Sequence, residues 1–184
     1  MRTGVSQLVE SRGSAVAHQR GYVVAGSLLS ALAGIIHFAV VPEHLHEATV
    51  EGVFFIIAGT GQLVLAVALL RGLRTPGLLL ALVANVGLVC LYVLSRTVAL
   101  PFVPPHSEFH HLPVAGAAGN GVPIFPGDRI ETVGRLDLIC LLAELGLLVM
   151  LVALLPAKTR RFTTDALLGL ALVGLAARAF GVIG

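Results

Sequence analysis

The sequence predicts an all-α integral membrane bundle of five transmembrane helices, N-terminus in and C-terminus out, with a short outer interfacial helix and a long outer loop. Three observations predict it. Of the 184 residues, 57% are hydrophobic and only 12% charged, where a soluble domain carries about 25% charged residues. Mean hydropathy is +0.95. Five apolar runs approach the ~20 residues that cross a bilayer as a helix. A soluble fold would have to bury all five, and too little chain remains to cover them.

The elements follow in order. Residues 1–20 are polar and basic and read as a cytoplasmic tail; they are too long and mixed for a signal-peptide leader. Residues 21–184 form the transmembrane domain. Its spans are Tyr22–Val41, Gly52–Leu70, Gly77–Leu94, Leu136–Leu155 and Ala166–Gly184. Pro42 lacks a backbone N–H and suits the first turn of a helix, so Pro42–Glu51 reads as the short outer helix leading into span two. Arg71, Arg74 and Pro76 separate spans two and three, and Pro156 to Arg161 separate spans four and five. The connection from Ser95 to Arg135 is 41 residues long and rich in Pro and Gly, a length that is usually functional or disordered.

Orientation follows from Lys and Arg near the span ends. Eight lie on one side (Arg2, Arg12, Arg20, Arg71, Arg74, Lys158, Arg160, Arg161) and three on the other (Arg96, Arg129, Arg135). The richer side is cytoplasmic, which makes this a multi-pass protein of the plasma membrane. Six of seven histidines then fall outside. The net charge of +2 is small and its basic residues are dispersed, so nucleic acid is not a partner. The lipid bilayer is, together with a second copy or a larger membrane complex.

The candidate chemistry lies in two places. At the outer rim, His37, His44 and Glu47, with His106, His110 and His111 from the loop and Asp137 at the start of span four, supply imidazole and carboxylate. That donor set suits Zn, Fe, Mn or Cu(II). His44 lies three residues from Glu47 and seven from Glu51, spacings that share a helical face. If the helix continued through Pro42, His37 and His44 would share one too. The plainer alternative is that His and Glu line a water interface. The sequence HEATVEG lacks the second histidine of the zincin pattern, so no protease chemistry follows.

The second place is inside the bilayer. Glu144 is near the middle of span four, where a charge costs about 2.5–3.5 kcal/mol on insertion scales. No cation is evident opposite it, so it is expected to be protonated and bonded to Gln62 or Asn85. Arg96, Arg178 and Glu131 complete a buried polar or proton path, with Asp137 pairing Arg96 or Arg178. Cys90 and Cys140 read as small apolar residues. Gly26, Ser30 and Gly34 recur every four residues and read as a close-packing stripe.

The runs HFAVVPEHLHE (37–47), LYVLSRTVALPFVP (91–104) and ETVGRLDLICLLAEL (131–145) together resemble small multi-pass bacterial membrane proteins over spans one to four. The resemblance implies no activity. It implies at most that His37, His44, Glu47, Arg96, Glu131, Asp137 and Glu144 form one unit. The leading expectation is a membrane protein binding a transition metal ion (Cu, Fe, Zn or Mn) at its outer face, in metal handling, uptake or metalloenzyme chemistry. The alternatives are a small accessory subunit of a larger complex and a haem-binding electron-transfer protein.

Overall fold

The computed structural model describes residues 3–47, 49–97 and 134–181. Among them are five helices and no strand: α1 (Thr3–Glu47), α2 (Thr49–Arg71), α3 (Thr75–Thr97), α4 (Arg135–Leu154) and α5 (Ala157–Ala179). Each is long and apolar enough to cross a membrane.

Three boundaries differ from expectation. First, α1 runs unbroken through Pro42 to Glu47, so the separate outer helix over Pro42–Glu51 does not form. The ring forfeits the hydrogen bond that residue 42 would give to the carbonyl of Phe38, a loss that neighbouring helices help a membrane helix tolerate. Second, α1 begins at Thr3, so the tail is helical from that residue and continuous with the first span. Third, α5 begins at Ala157, so Lys158, Arg160 and Arg161 occupy its first turns rather than a turn before it. Pro156 sets that start: it cannot continue α4, and its carbonyl accepts from Arg160 N–H at 2.8 Å. Between α2 and α3 the chain reverses at Gly72, whose φ of +89° is a backbone state that glycine adopts without a Cβ clash.

The first four helices surround one core. α1 packs against α2 and α4, and α4 against α3 and, at a few residues, α5. A side-chain bond from Gln62 to Asn85 joins α2 to α3. Neighbours run antiparallel: Ser27 meets Ala66 and Ser30 meets Gln62, while Gly26 lies on Met150 and Gly146 on Leu29. The bundle therefore has a rim end, where α1 stops and α2 and α4 begin, and a far end, where α2 and α4 stop. The far half is apolar: Leu69, Leu78, Leu82, Leu147, Leu151 and Leu155 are buried together. The outward faces are apolar as well, Leu28, Ile57, Val64, Leu80 and Val83 being exposed. Helices apolar all round belong in a membrane or a large core.

Small residues set the α1–α2 approach. A Cβ on Gly34 would sit 3.0 Å from the Gly59 carbonyl oxygen and 3.1 Å from Leu63. The stripe of Gly26, Ser30 and Gly34 is thus a close-packing face, as its spacing indicates. Gly34→Val is expected to destabilise the bundle by about 1–3 kcal/mol through overpacking. Gly87→Ala, where a Cβ meets nothing within 4 Å, is expected to be neutral or slightly stabilising. Unfolding of the two variants in detergent checks the difference.

Candidate metal centre

The buried faces of α1 and α4 carry polar residues at helical spacing. On α1, Ser30, Ala33 and His37 face inward; on α4, Cys140, Ala143, Glu144 and Leu147 do. Helical side chains lean toward their own N-terminus. The N-terminus of α1 is at the far end and that of α4 is at the rim, so His37 leans inward while Glu144 leans back toward it. Their tips meet, with His37 Nε2 3.0 Å from Glu144 Oε1. Side-chain exposure is 10% and 4%, so each relieves the desolvation of the other.

Cys140 is one helical turn from Glu144 and shares its face. Its Sγ lies 3.9 Å from the same His37 Nε2. The donor atoms of His37, Cys140 and Glu144 fall within 4.8 Å of one another, all on buried residues. Together they form a group that could hold a metal ion. Thiol and carboxylate both approach a single ring nitrogen. In a nucleophile–base–acid relay they would use opposite nitrogens of the imidazole, so the arrangement is a convergent donor set rather than a relay. Tetrahedral zinc, with bonds of about 2.0–2.3 Å to N, O and S, separates neighbouring donors by about 3.3–3.8 Å. The separations from His37 Nε2, 3.0 and 3.9 Å, lie just outside that range on either side, and the group as a whole lies within 4.8 Å, so the donors would have to shift to close on an ion.

One to two turns nearer the far end, a second polar layer crosses three helices. Ser30 Oγ is 2.7 Å from both the carbonyl oxygen and Oε1 of Gln62. Gln62 Nε2 donates to Asn85 Oδ1 at 2.8 Å, and Asn85 Nδ2 donates to the Ala81 carbonyl at 2.8 Å. Ser27 Oγ donates to the Ala66 carbonyl at 2.8 Å. The Gln62 side chain therefore bonds Ser30 and Asn85, and that of Asn85 bonds Gln62 and the Ala81 carbonyl, not Glu144 as expected. Toward the rim, His44 Nδ1 lies 3.2 Å from Glu51 Oε2. Phe55 stands between the two histidines, its ring centroid 4.3 Å from that of His44 and 5.7 Å from that of His37.

One expectation is corrected. Glu144 has a partner: His37, 107 residues away, which the sequence places nearer the outer end of its span. Cys140 is buried in an apolar cluster with Ala33, Ile36 and Ala143, as expected, and its thiol also falls within the group that could hold a metal ion. Its spacing of four from Glu144 was the signal available in the sequence. Elsewhere, His44 bonds Glu51 across the α1–α2 junction, and Asp137 Oδ2 accepts from the Gly134 N–H at 3.0 Å, capping α4 in the manner of a capping-box acid. Neither belongs to the buried group. Arg178 is half-buried on α5, the backbones of Glu47 and Arg96 lie near the ends of α1 and α3, and His106, His110, His111 and Glu131 lie outside the described residues.

Removing one member of a buried pair leaves the other uncompensated, a loss of about 3–5 kcal/mol. His37→Leu is therefore expected to destabilise the bundle by about that amount, and His37→Leu with Glu144→Leu by distinctly less than the two single changes summed. A double-mutant cycle on unfolding in detergent checks the coupling.

No protein-family model matches this chain, and neither a curated protein nor a solved structure matches it in comparison.

Proposed function

We propose that this is an integral membrane protein whose four-helix core binds a divalent transition metal ion at His37, Cys140 and Glu144. The observation that carries the reading is the convergence of an imidazole, a thiol and a carboxylate within 4.8 Å on buried residues of two helices. Isolated charges are costly in such a setting. A divalent ion with a thiolate, a carboxylate and a neutral imidazole sums to zero charge, so the occupied centre is electrically matched to an apolar bundle.

The thiolate refines the choice of metal. Imidazole with thiolate favours zinc and its first-row neighbours, and carboxylate-rich sites favour manganese and magnesium. Zinc fits best, with cobalt(II) as its spectroscopic substitute. Three protein donors leave a fourth tetrahedral position open, available to water or a substrate. Ligands must be deprotonated to bind, so affinity falls as pH falls. The Lys and Arg distribution supports a rim that faces outward, and with it a role in metal handling or uptake across the membrane.

A second reading is favoured by α5. Thr163 is its buried residue, and Phe162, Leu172 and Val173 are exposed. A helix so weakly held by its own bundle suits a small subunit that packs on partner helices. Reproducible co-purification with other membrane proteins after gentle solubilisation would favour it.

Elemental analysis of the protein purified without chelator is expected to show close to one zinc per chain. Cys140→Ser and Glu144→Gln are expected to lose it at least tenfold in affinity, while Cys90→Ser retains it. Metal-free protein that takes up neither zinc nor cobalt sinks the reading.

A further inference from the structure

The buried donors are closed off at one end of the bundle and approached by polar groups at the other. Beyond Ser30, Gln62 and Asn85 the far half is filled by Leu69, Leu147, Leu151 and Leu155, none more than 3% exposed. Among the described residues, the buried polar side chain that α1 contributes there is Ser27, whose hydroxyl is spent on the Ala66 carbonyl. At the rim, His44 and Glu51 meet at 3.2 Å with side chains 18% and 17% exposed, so the pair is part-buried but reaches the surface. Oε2 of Glu51 is engaged by His44, while its Oε1 is buried without a hydrogen-bond partner among the described residues. That carboxylate is desolvated on one oxygen, a state that a cation would relieve. Phe55 lies flat on the His44 ring and tilted at 37° toward His37, so an apolar ring separates the rim pair from the buried centre.

We infer that His44 and Glu51 form an access station that takes a divalent metal ion from water, and that Phe55 is the ring it must pass to reach His37, Cys140 and Glu144. This inference rests on the metal centre proposed above. Among the described residues the station brings an imidazole and a carboxylate, fewer donors than the buried centre, so it holds an ion more weakly and releases it. The centre beneath offers a thiolate as well and holds it more tightly. The arrangement sets the rate of loading, not the final affinity. In the transfer the ion exchanges the nitrogen and oxygen of the station for the nitrogen, oxygen and sulfur of the centre; the Cys140 S–H bond breaks as the metal–sulfur bond forms, and the proton passes to water.

The test follows cobalt(II) loading of the full-length protein in detergent by stopped flow, reading the thiolate-to-cobalt charge-transfer band at Cys140. Glu51→Gln and His44→Gln are each expected to slow loading about tenfold, the scale on which charged groups steer cations, with an unchanged end-point band. Phe55→Ala is expected to speed it. If Glu51→Gln fails to fold, His44→Gln decides alone. Loading at the wild-type rate in both rim variants, with a normal end point, overturns the access station and leaves the buried centre standing. A rim variant that lowers the end point overturns it too, because that residue then belongs to the centre. Absence of the band in wild-type protein overturns both readings.

Discussion

The arrangement of this bundle turns on one constraint: a carboxyl group held in the apolar interior must find a partner there. Glu144 is 3% exposed, at a depth where hydration is lost and ionic groups are costly. The contact with His37 answers that requirement and in doing so ties α1 to α4. Breaking such a pair is more damaging than never having made it, so the pair constrains how the helices associate. A helix-packing role alone would be served by an amide, as Gln62 and Asn85 serve the adjoining layer. The acid, the imidazole and the thiol beside it are the ionisable exceptions.

That contact is available only because α1 can approach its neighbours closely. A Cβ on Gly26 would sit 3.3 Å from Met150 and one on Gly34 3.0 Å from the Gly59 carbonyl oxygen, tight approaches, and small residues are what let membrane helices come together without a hydrophobic drive. Ser27 and Ser30, one turn apart, spend their hydroxyls on α2 carbonyls. The same face that brings the backbones together thus carries His37 into the middle of the bundle. Packing and chemistry share a single stripe, 26–30–33–37, continued at 44.

The interior is divided along its length. From the rim inward it passes His44 and Glu51, then Phe55, then the donor group, then the Ser30–Gln62–Asn85 layer, and ends in packed leucines. A uniform core would have needed none of these polar groups. A continuous polar channel would not have ended in side chains as fully buried as Leu147 and Leu151. The gradient gives the bundle a direction that is independent of how it sits in a membrane, and α5, outside the four-helix core, takes little part in it.

The sequence by itself determined the helical class, the five spans and the presence of a costly acid at mid-helix, because each depends on local apolar length and on residue depth. It marked the small-residue stripe for the same reason: spacing along one helix is a one-dimensional property. Partnership is not. His37 and Glu144 are far apart in the chain, and helix order around the bundle decides whether they meet, so the acid looked unpaired and the nearness of Cys140 to an imidazole was hidden. Local rules also misjudged Pro42, where a proline suited to starting a helix lies inside one, on an exposed position of α1. The tertiary structure likewise set His44 against Glu51 across two helices rather than along one. It alone chose which imidazole reaches the interior, because only packing orients a side chain toward a residue on another helix.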